Sequence, residues 1–464
     1  MADPVRPTDK NTSNGDSPLV YRIDLALPPA QRYVEVAGIY REKMRSLTSL
    51  FDELVKLIFP GINIIWVKRA ARLLLRRLYT HEETEEIKGI SRTTGIDLYL
   101  LVSLNVLLDL LMGCTSGGAR CRDAQDADSK MFHFRTLDWD MDGLRQLIVQ
   151  LEFVRSPDTE RVLATSITYV GFVGVLTGVR KNLSVSLNFR PYHDISKPFF
   201  NFQFYASHLL VLLGIRRSIS SLLRQCLLPS ASTRWSFLTE TWRGGARRPA
   251  HSLSLGGIAA ELPRIPSTAA YIIISDGNST TVLEKDYRSA ITRSSSSFIV
   301  ATNSDIGAES SESTTGTNNI TTSKPHTLQL AGLEELIEDS IERRTCMQDF
   351  WDEKTSQATQ SQASTGRRDP LRRTRSSKAA ASKQQPAISS SAAPSSTSQA
   401  CMSEQGVDKG TSQIQEVTAT PAEIIEWTST HPITNEMTHF ATVMDPTEGK
   451  IVWVRRYPAP IVEE

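Results

Sequence analysis

Cys114 stands in the tetrapeptide GCTS at residues 113–116, between an apolar stretch and a run rich in β-branched and aromatic residues. A thiol in that place is a candidate nucleophile, since a covalent acyl intermediate divides a difficult hydrolysis into two easier steps. Downstream lie further groups able to serve it: Arg135 and Asp138 in the run FRTLDW, and Asn303 closing the run FIVATN. Each feature alone is ordinary. A lone cysteine is usually a small core hydrophobe, and an Arg and an Asp three apart are usually a surface ion pair of little consequence. Arg135 and Asp138, however, sit in an otherwise apolar strand pattern, where ionised groups must be partnered. A period-two strand puts them on opposite faces, so bringing both to one site needs a bulge or a strand end near Leu137. His133 shares a strand face with Arg135. That leaves a Cys–His dyad as an alternative, against the plainer case of a histidine hydrogen-bonded in place.

The elements that must position these groups follow from periodicity. Residues 1–20 are polar and rich in Pro, Asn and Asp, the composition of a disordered tail. Tyr33, Val36, Ile39, Tyr40 and Met44, with Leu47, Leu50, Leu54 and Leu57 beyond, recur at helical spacing until Pro60-Gly61 breaks the pattern. A second helical stretch runs through Trp66, Ala70, Leu73 and Leu74, and residues 83–113 predict a helix, a turn at Thr93-Thr94-Gly95 and another helix. From Met131 to Leu187, short runs separated by turn signals predict a meander of consecutive strands. Residues 205–228 return to an amphipathic helix, and residues 234–262 to helix and loop. AAYIIIS, TTVLEKDY and SFIVATN predict three more strands, and HFATVMD with KIVWVRRY a closing pair. Helices first, then antiparallel strands with helices, is an α+β pattern.

Bulk properties narrow the function. Lys and Arg number 52 and Asp and Glu 51, a formal net charge of +1 that argues against a global nucleic-acid binder. The cysteines, at 114, 121, 226, 346 and 401, are odd in number and lack ligand spacing, so neither a disulfide framework nor a metal site is expected. The most apolar stretch, Leu98 to Met112, carries Asn105 and Asp109 and falls short of the roughly 18 apolar residues of a spanning helix. The first residues hold no apolar run of signal-peptide length, which predicts a cytoplasmic location and silent sequons at Asn11, Asn182, Asn278 and Asn319. Two low-complexity inserts, 306–325 and 355–420, are too polar to offset their chain entropy. The basic run LRRTRSSK in the second is expected to be a solvated linker. The helix around HLLVLLGIRRSISSLLRQCLL is apolar on one face and basic on the other, which suits a core helix or, alternatively, a lipid-facing lip.

Seven blocks in order resemble one family, acid ceramidase and its relative the N-acylethanolamine-hydrolysing acid amidase. DLALPPAQRYVEVAGIYREKM is similar to the start of the family's small subunit, and EEIKGISRTTGIDLYLLVSLNVLLDLLMGCTS to the segment leading into its nucleophile. FRTLDWD, YVGFVGVLTGVRKNLSVSLNFR, FIVATNSD, ERRTCM and HPITNEMTHFATVMDPTEGKIVWVRR resemble the later blocks. The resemblance implies an N-terminal-nucleophile hydrolase, an αββα sandwich with a helical small-subunit-like segment over 21–113 and a catalytic core over 114–464. It implies self-cleavage at Gly113–Cys114, with chains that stay associated and a new α-amine that serves Cys114 as base. Residue by residue, Cys114 matches the nucleophile, and Arg135 and Asp138 the pair that orients it. Asn303 matches the oxyanion donor, and Arg343, rather than Arg344, the second active-site Arg. No cofactor is implied. The substrate would be a lipid amide, ceramide or an N-acylethanolamine, met with transient membrane-surface contact, and the family's compartment is vacuolar or lysosome-like. An inert lipid-binding relative is the rival. The family's Asn-Glu-Arg is here Asn188-Phe189-Arg190, which lacks the acidic residue.

Overall fold

The computed structural model describes residues 16–49, 52, 63–107, 113–123, 128–194, 198–228, 253–306, 326–327, 333–365 and 416–461. Most of the polar tail and of the two inserts lies outside them, as do the LRRTRSSK run and Asn11, Asn319 and Cys401. The chain divides into two compact units, residues 1–354 with 418–464, and residues 355–417. Of the second, the end of one helix and two residues at 416–417 are described.

The N-terminal part opens with a strand, β1 (Val20–Asp24), and continues as helices α1 (Val34–Ile39), α2 (Arg41–Ser46), α3 (Ile64–Leu74), α4 (His81–Thr94) and α5 (Leu98–Leu107). Helix α4 shows why the local sequence stops and starts where it does. The Thr80 side chain accepts the Glu83 N–H at its start, two glutamates occupy its first turn, and Gly95 ends it at φ 74°. Residues 20–24 are held extended by pairing at the sheet edge rather than by a marked local pattern. Ile23 faces the core while the strand pairs in parallel with β4 (Ile148–Val154). The main sheet is therefore mixed at one edge rather than wholly antiparallel.

That sheet has eight strands in the order β1-β4-β5-β6-β7-β9-β10-β11, with β5 Ala164–Tyr169, β6 Thr177–Arg180, β7 Leu183–Phe189, β9 Ala270–Ser275, β10 Thr280–Lys285 and β11 Ala290–Ser295. Of the meander expected from Met131 to Leu187, β4 to β7 are consecutive neighbours in this sheet, whereas its first run, MFHFRTLDW, belongs to the second sheet. A second sheet of five strands runs β12-β2-β3-β14-β15, with β2 Gly113–Cys121, β3 Lys130–Asp138, β12 Phe298–Ala301, β14 Thr438–Asp445 and β15 Lys450–Arg456. A two-stranded ribbon, β8 (Tyr192–His193) with β13 (His326–Thr327), stands apart.

The two sheets face one another. Tyr271, Ile273 and Val282 of the larger sheet pack on Ile299 and Ala301 of β12. Close approach is possible because β2 carries Gly118 at the contact, where a Cβ would stand 2.0 Å from Thr280 Oγ1 of the larger sheet. The other face of the larger sheet, with Leu183, Val185, Leu187, Ile272 and Ile274, joins α7 (Ile219–Leu227) and α8 (Leu255–Glu261) in the main core. The outer face of the smaller sheet is covered by residues 333–354 of helix α9 (Leu333–Thr365) and by α10 (Pro421–Ser429), with Trp351 stacked on Phe298 at 5.2 Å. The expected helix over 205–228 is two helices, α6 (Pro198–Leu212) and α7, parted at Gly214. That glycine has φ 64°, and a Cβ there would sit 2.7 Å from the Arg77 carbonyl oxygen.

Candidate active site

The Gly113–Cys114 peptide opens β2, in register with Asp138 and Leu137 of β3. Cys114 is fully buried. Arg135 shares a pleat face with Leu137, and its Nη2 reaches to 3.2 Å from Cys114 Sγ. The same guanidinium donates from Nη1 to the Leu187 carbonyl at 2.8 Å and to Asn188 Oδ1 at 2.9 Å. The thiol itself faces the Leu187 carbonyl at 3.8 Å.

Asp138 ends β3 and lies on the opposite face, where its Oδ2 pairs with Arg343 of α9 and its Oδ1 accepts from Thr438 Oγ1 at 2.8 Å. Asn303 follows β12, and its Oδ1 accepts the Cys114 backbone N–H at 2.8 Å. Arg343 Nη2 donates to that same oxygen at 3.3 Å, and Asn303 Nδ2 donates to the Phe189 carbonyl at 2.8 Å. A bulge in β3 is thus not what unites Arg135 and Asp138. Arg135 comes to the sulfur from one face, while Asp138, at the strand end, binds Arg343 and Thr438 on the other, and Arg343 in turn meets Asn303 at the Cys114 N–H. The irregularity in register lies in the facing strand β14, between Thr438 and Phe440.

Of the five residues singled out in the sequence, Arg135, Asp138, Asn303 and Arg343 therefore gather about the fifth, Cys114. Arg344 turns elsewhere and donates to the Ser304 carbonyl at 2.8 Å. The Cys–His dyad is excluded by geometry. His133 is opposite Gly118, and its two ring nitrogens bond Ser184 Oγ at 2.7 Å and Ser186 Oγ at 2.8 Å. Burial lowers its pKa to about 3, so it stays neutral.

Burial pushes the Cys114 thiol up, with Arg135 opposing, and likewise pushes the Asp138 carboxyl up against the pull of Arg343 and the Thr438 hydrogen bond. The thiol therefore remains protonated in the intact chain until a base is at hand.

Sequence reasoning missed four supporting residues. Ser116 and Asn188 touch Arg135, Thr438 touches Asp138, and Ser340 Oγ accepts the Asn303 backbone N–H at 2.7 Å. Ser340 lies one helical turn before Arg343, so spacing alone could have placed both on one face.

Two facing sheets with helices outside both make an αββα sandwich of the α+β class, with Cys114 at the head of a strand of the smaller sheet. A family model described as the beta subunit of N-acylethanolamine-hydrolyzing acid amidase matches residues 16–79. An N-acylethanolamine-hydrolyzing acid amidase of Caenorhabditis elegans is 31% identical over 191 residues, 38% of this chain and 50% of that protein. The acid ceramidase of Rattus norvegicus is 28% identical over 185 residues, 37% of this chain and 45% of that one. The chain thus spans about half the length of the curated relatives it matches. A solved structure of a Caenorhabditis elegans N-acylethanolamine-hydrolyzing acid amidase ortholog compares with a TM-score of 0.37 at 18% identity, over 72% of this chain and 93% of that one. The sequence matches bear out the resemblance to the acid ceramidase and N-acylethanolamine-hydrolyzing acid amidase family.

Proposed function

We propose that this chain hydrolyses the amide bond of an N-acyl lipid, ceramide or a near relative, with Cys114 as the nucleophile. The observation that carries the proposal is the convergence on a single residue: Arg135 on its sulfur, and Asn303, backed by Arg343 and Asp138, on its nitrogen. Self-cleavage comes first. The thiol attacks the Gly113 carbonyl, the Cys114 nitrogen departs with the thiol proton, and water opens the thioester. The products are a Gly113 carboxylate and a free α-amine on Cys114. Gly113 leaves its carbonyl approachable where a side chain would crowd Asp138, since an added Cβ would stand 3.3 Å from the Asp138 Cβ.

In turnover the α-amine, with a reference pKa of about 7.7–8.0, takes the thiol proton. The thiolate attacks the amide carbonyl, the proton passes to the departing amine, and water then releases the fatty acid from the thioester. Asp138 and Asn303 Oδ1 hold the amine. Asn303 Nδ2, now bonded to the Phe189 carbonyl, is the donor that turns to the tetrahedral oxyanion, where one donor is worth about 3–4 kcal/mol. The N-acylethanolamine alternative draws on the match of residues 16–79 to the amidase's beta subunit.

The surface suits a lipid substrate. Phe199, Phe202, Tyr205 and Leu209 recur along one face of α6 and are 51–71% exposed, and on α3 Trp66 and Leu73 are 65% and 69% exposed. On α3, Arg69 lies over Trp66 and Arg72 over Tyr99, so that helix sets cationic groups beside its exposed apolar side chains, the composition of a helix that lies on a membrane. No helix among the described residues is long and apolar enough to cross one. After cleavage, residues up to Gly113 stay bound through the parallel β1–β4 ladder and through Glu86, which Arg224 of α7 grips in two bonds of 2.5 and 2.7 Å.

Purified protein assayed against a panel of ceramides and N-acylethanolamines, with a Cys114→Ala control, tests the proposal. Fatty acid released by the wild type alone supports it. Lack of release from every amide in the panel points instead to an inert lipid binder.

A further inference from the structure

The Arg135 guanidinium does not find the sulfur unaided. Its Nη1 is held from both sheets: the Leu187 carbonyl at 2.8 Å and Asn188 Oδ1 at 2.9 Å, both of β7, and Ser116 Oγ of β2 at 3.2 Å, the last two being its side-chain partners. Ser116 in turn donates to Asn188 Oδ1 at 2.9 Å. The Asn188 amide cannot turn over. Its Nδ2 donates to the Ala301 carbonyl at 3.0 Å and lies 3.4 Å from that of Thr302, so a flip would oppose oxygen to oxygen and N–H to guanidinium. Ser116, Arg135 and Asn188 are all fully buried, so these bonds are not exchanged for water. Arg135 Nε has no hydrogen-bond partner among the described residues, so the terminal nitrogens alone fix the plane.

We infer that Ser116 and Asn188 are positioning residues, a clamp that aims Arg135 Nη2 at Cys114 Sγ and ties that arm, through the Ala301 and Thr302 carbonyls, to the segment carrying Asn303. The inference rests on Cys114 being the nucleophile and adds how the charge that favours its thiolate is held in place. A guanidinium at 3.2 Å favours the ionised sulfur; a loosened one divides its time among neighbouring carbonyls and favours it less. The other titratable groups around the thiol are Asp138, Arg343, Tyr169 from β5 and, once the chain is cleaved, the Cys114 α-amine, and neither clamp residue bonds to any of them.

The test is a pH titration of the Cys114 thiolate by ultraviolet absorbance in the full-length chain, taken as the difference from Cys114→Ala. Asn188→Leu should raise the midpoint by about one pH unit, a tenfold loss of ionisation, and Ser116→Ala should raise it by less. In an Arg135→Met background neither substitution should move it further. A fall in melting temperature with an unmoved midpoint would mark Asn188 as merely structural and overturn the inference, as would a shift that persists without Arg135. Should Asn188→Leu fail to fold, Ser116→Ala with and without Arg135 decides by the same criteria. The titration needs no substrate. Clamp shifts in a chain that hydrolyses no amide would therefore count against the proposed function and leave the clamp standing.

Discussion

Asn303 Oδ1 accepts the backbone N–H of Cys114 at 2.8 Å although the two residues are 189 positions apart in the chain. This one contact joins the end of β12 to the head of β2 and sets an amide against the nitrogen that self-cleavage would free. Asn303→Ala should lower turnover roughly a hundredfold or more, with KM little changed. Asn303→Asp keeps an acceptor that Arg343 can pair with but has no donor for an oxyanion, so it should lose at least as much. Steady-state kinetics on the two variants decides, and an Asp variant as active as wild type removes Asn303 from the oxyanion role.

Cys114→Ala should run as one band on a denaturing gel, and wild type should part into two fragments at 113/114. His133→Gln should still cleave, because its ring is committed to Ser184 and Ser186. An uncleaved His133→Gln chain with an intact fold would restore the dyad.

Two buried rings make stability depend on pH. His133 and His439 are each held down to about 3 by burial, against an ordinary value of 6.5. Between those values the unfolded chain binds more protons, so stability rises with pH through this window. It is fully present above about pH 6.5 and is lost as pH falls toward 3, at up to roughly 1.4 kcal/mol per unit for each ring. Melting temperature followed from pH 7 to pH 4 should therefore drop, and His133→Gln should flatten the acid limb. An equal slope in that variant would show that other groups set it.

The Glu86–Arg224 pair is buried on both sides, and Arg32 adds a third bond to Glu86 at 2.9 Å. Arg224→Ala leaves a buried carboxylate short of its partner and should cost about 3–5 kcal/mol. Chemical denaturation measures that loss. After cleavage, size-exclusion chromatography should show the two chains separating more readily than in wild type.

Much of the architecture was legible because local patterns and global packing agree. The strands β9, β10, β12, β14 and β15 carry enough apolar and β-branched residues to stand out, and α4 announces its end through Gly95. The parallel strand β1 was not legible. A run of five residues carries little periodicity, and its partner β4 lies far along the chain. Strand β11 escaped for another reason: AITRSS is largely exposed at a sheet edge, so it needs little apolar content.

At the site, the sequence by itself determined which residues could act. Cys114, Arg135, Asp138, Asn303 and Arg343 were chosen by type, by apolar context and by family likeness, and these properties belong to short segments. Only the tertiary structure decided how they meet. Strand pairing, with Gly113 opposite Asp138 and Ser116 opposite Arg135, sets which face each side chain takes. Sheet-on-sheet contact brings Asn188 to Arg135, and packing of α9 brings Arg343 and Ser340 to Asp138 and Asn303. Those supports are ordinary polar residues with no local signature, since a hydrogen bond between distant segments depends on register and layer spacing, which no single segment encodes.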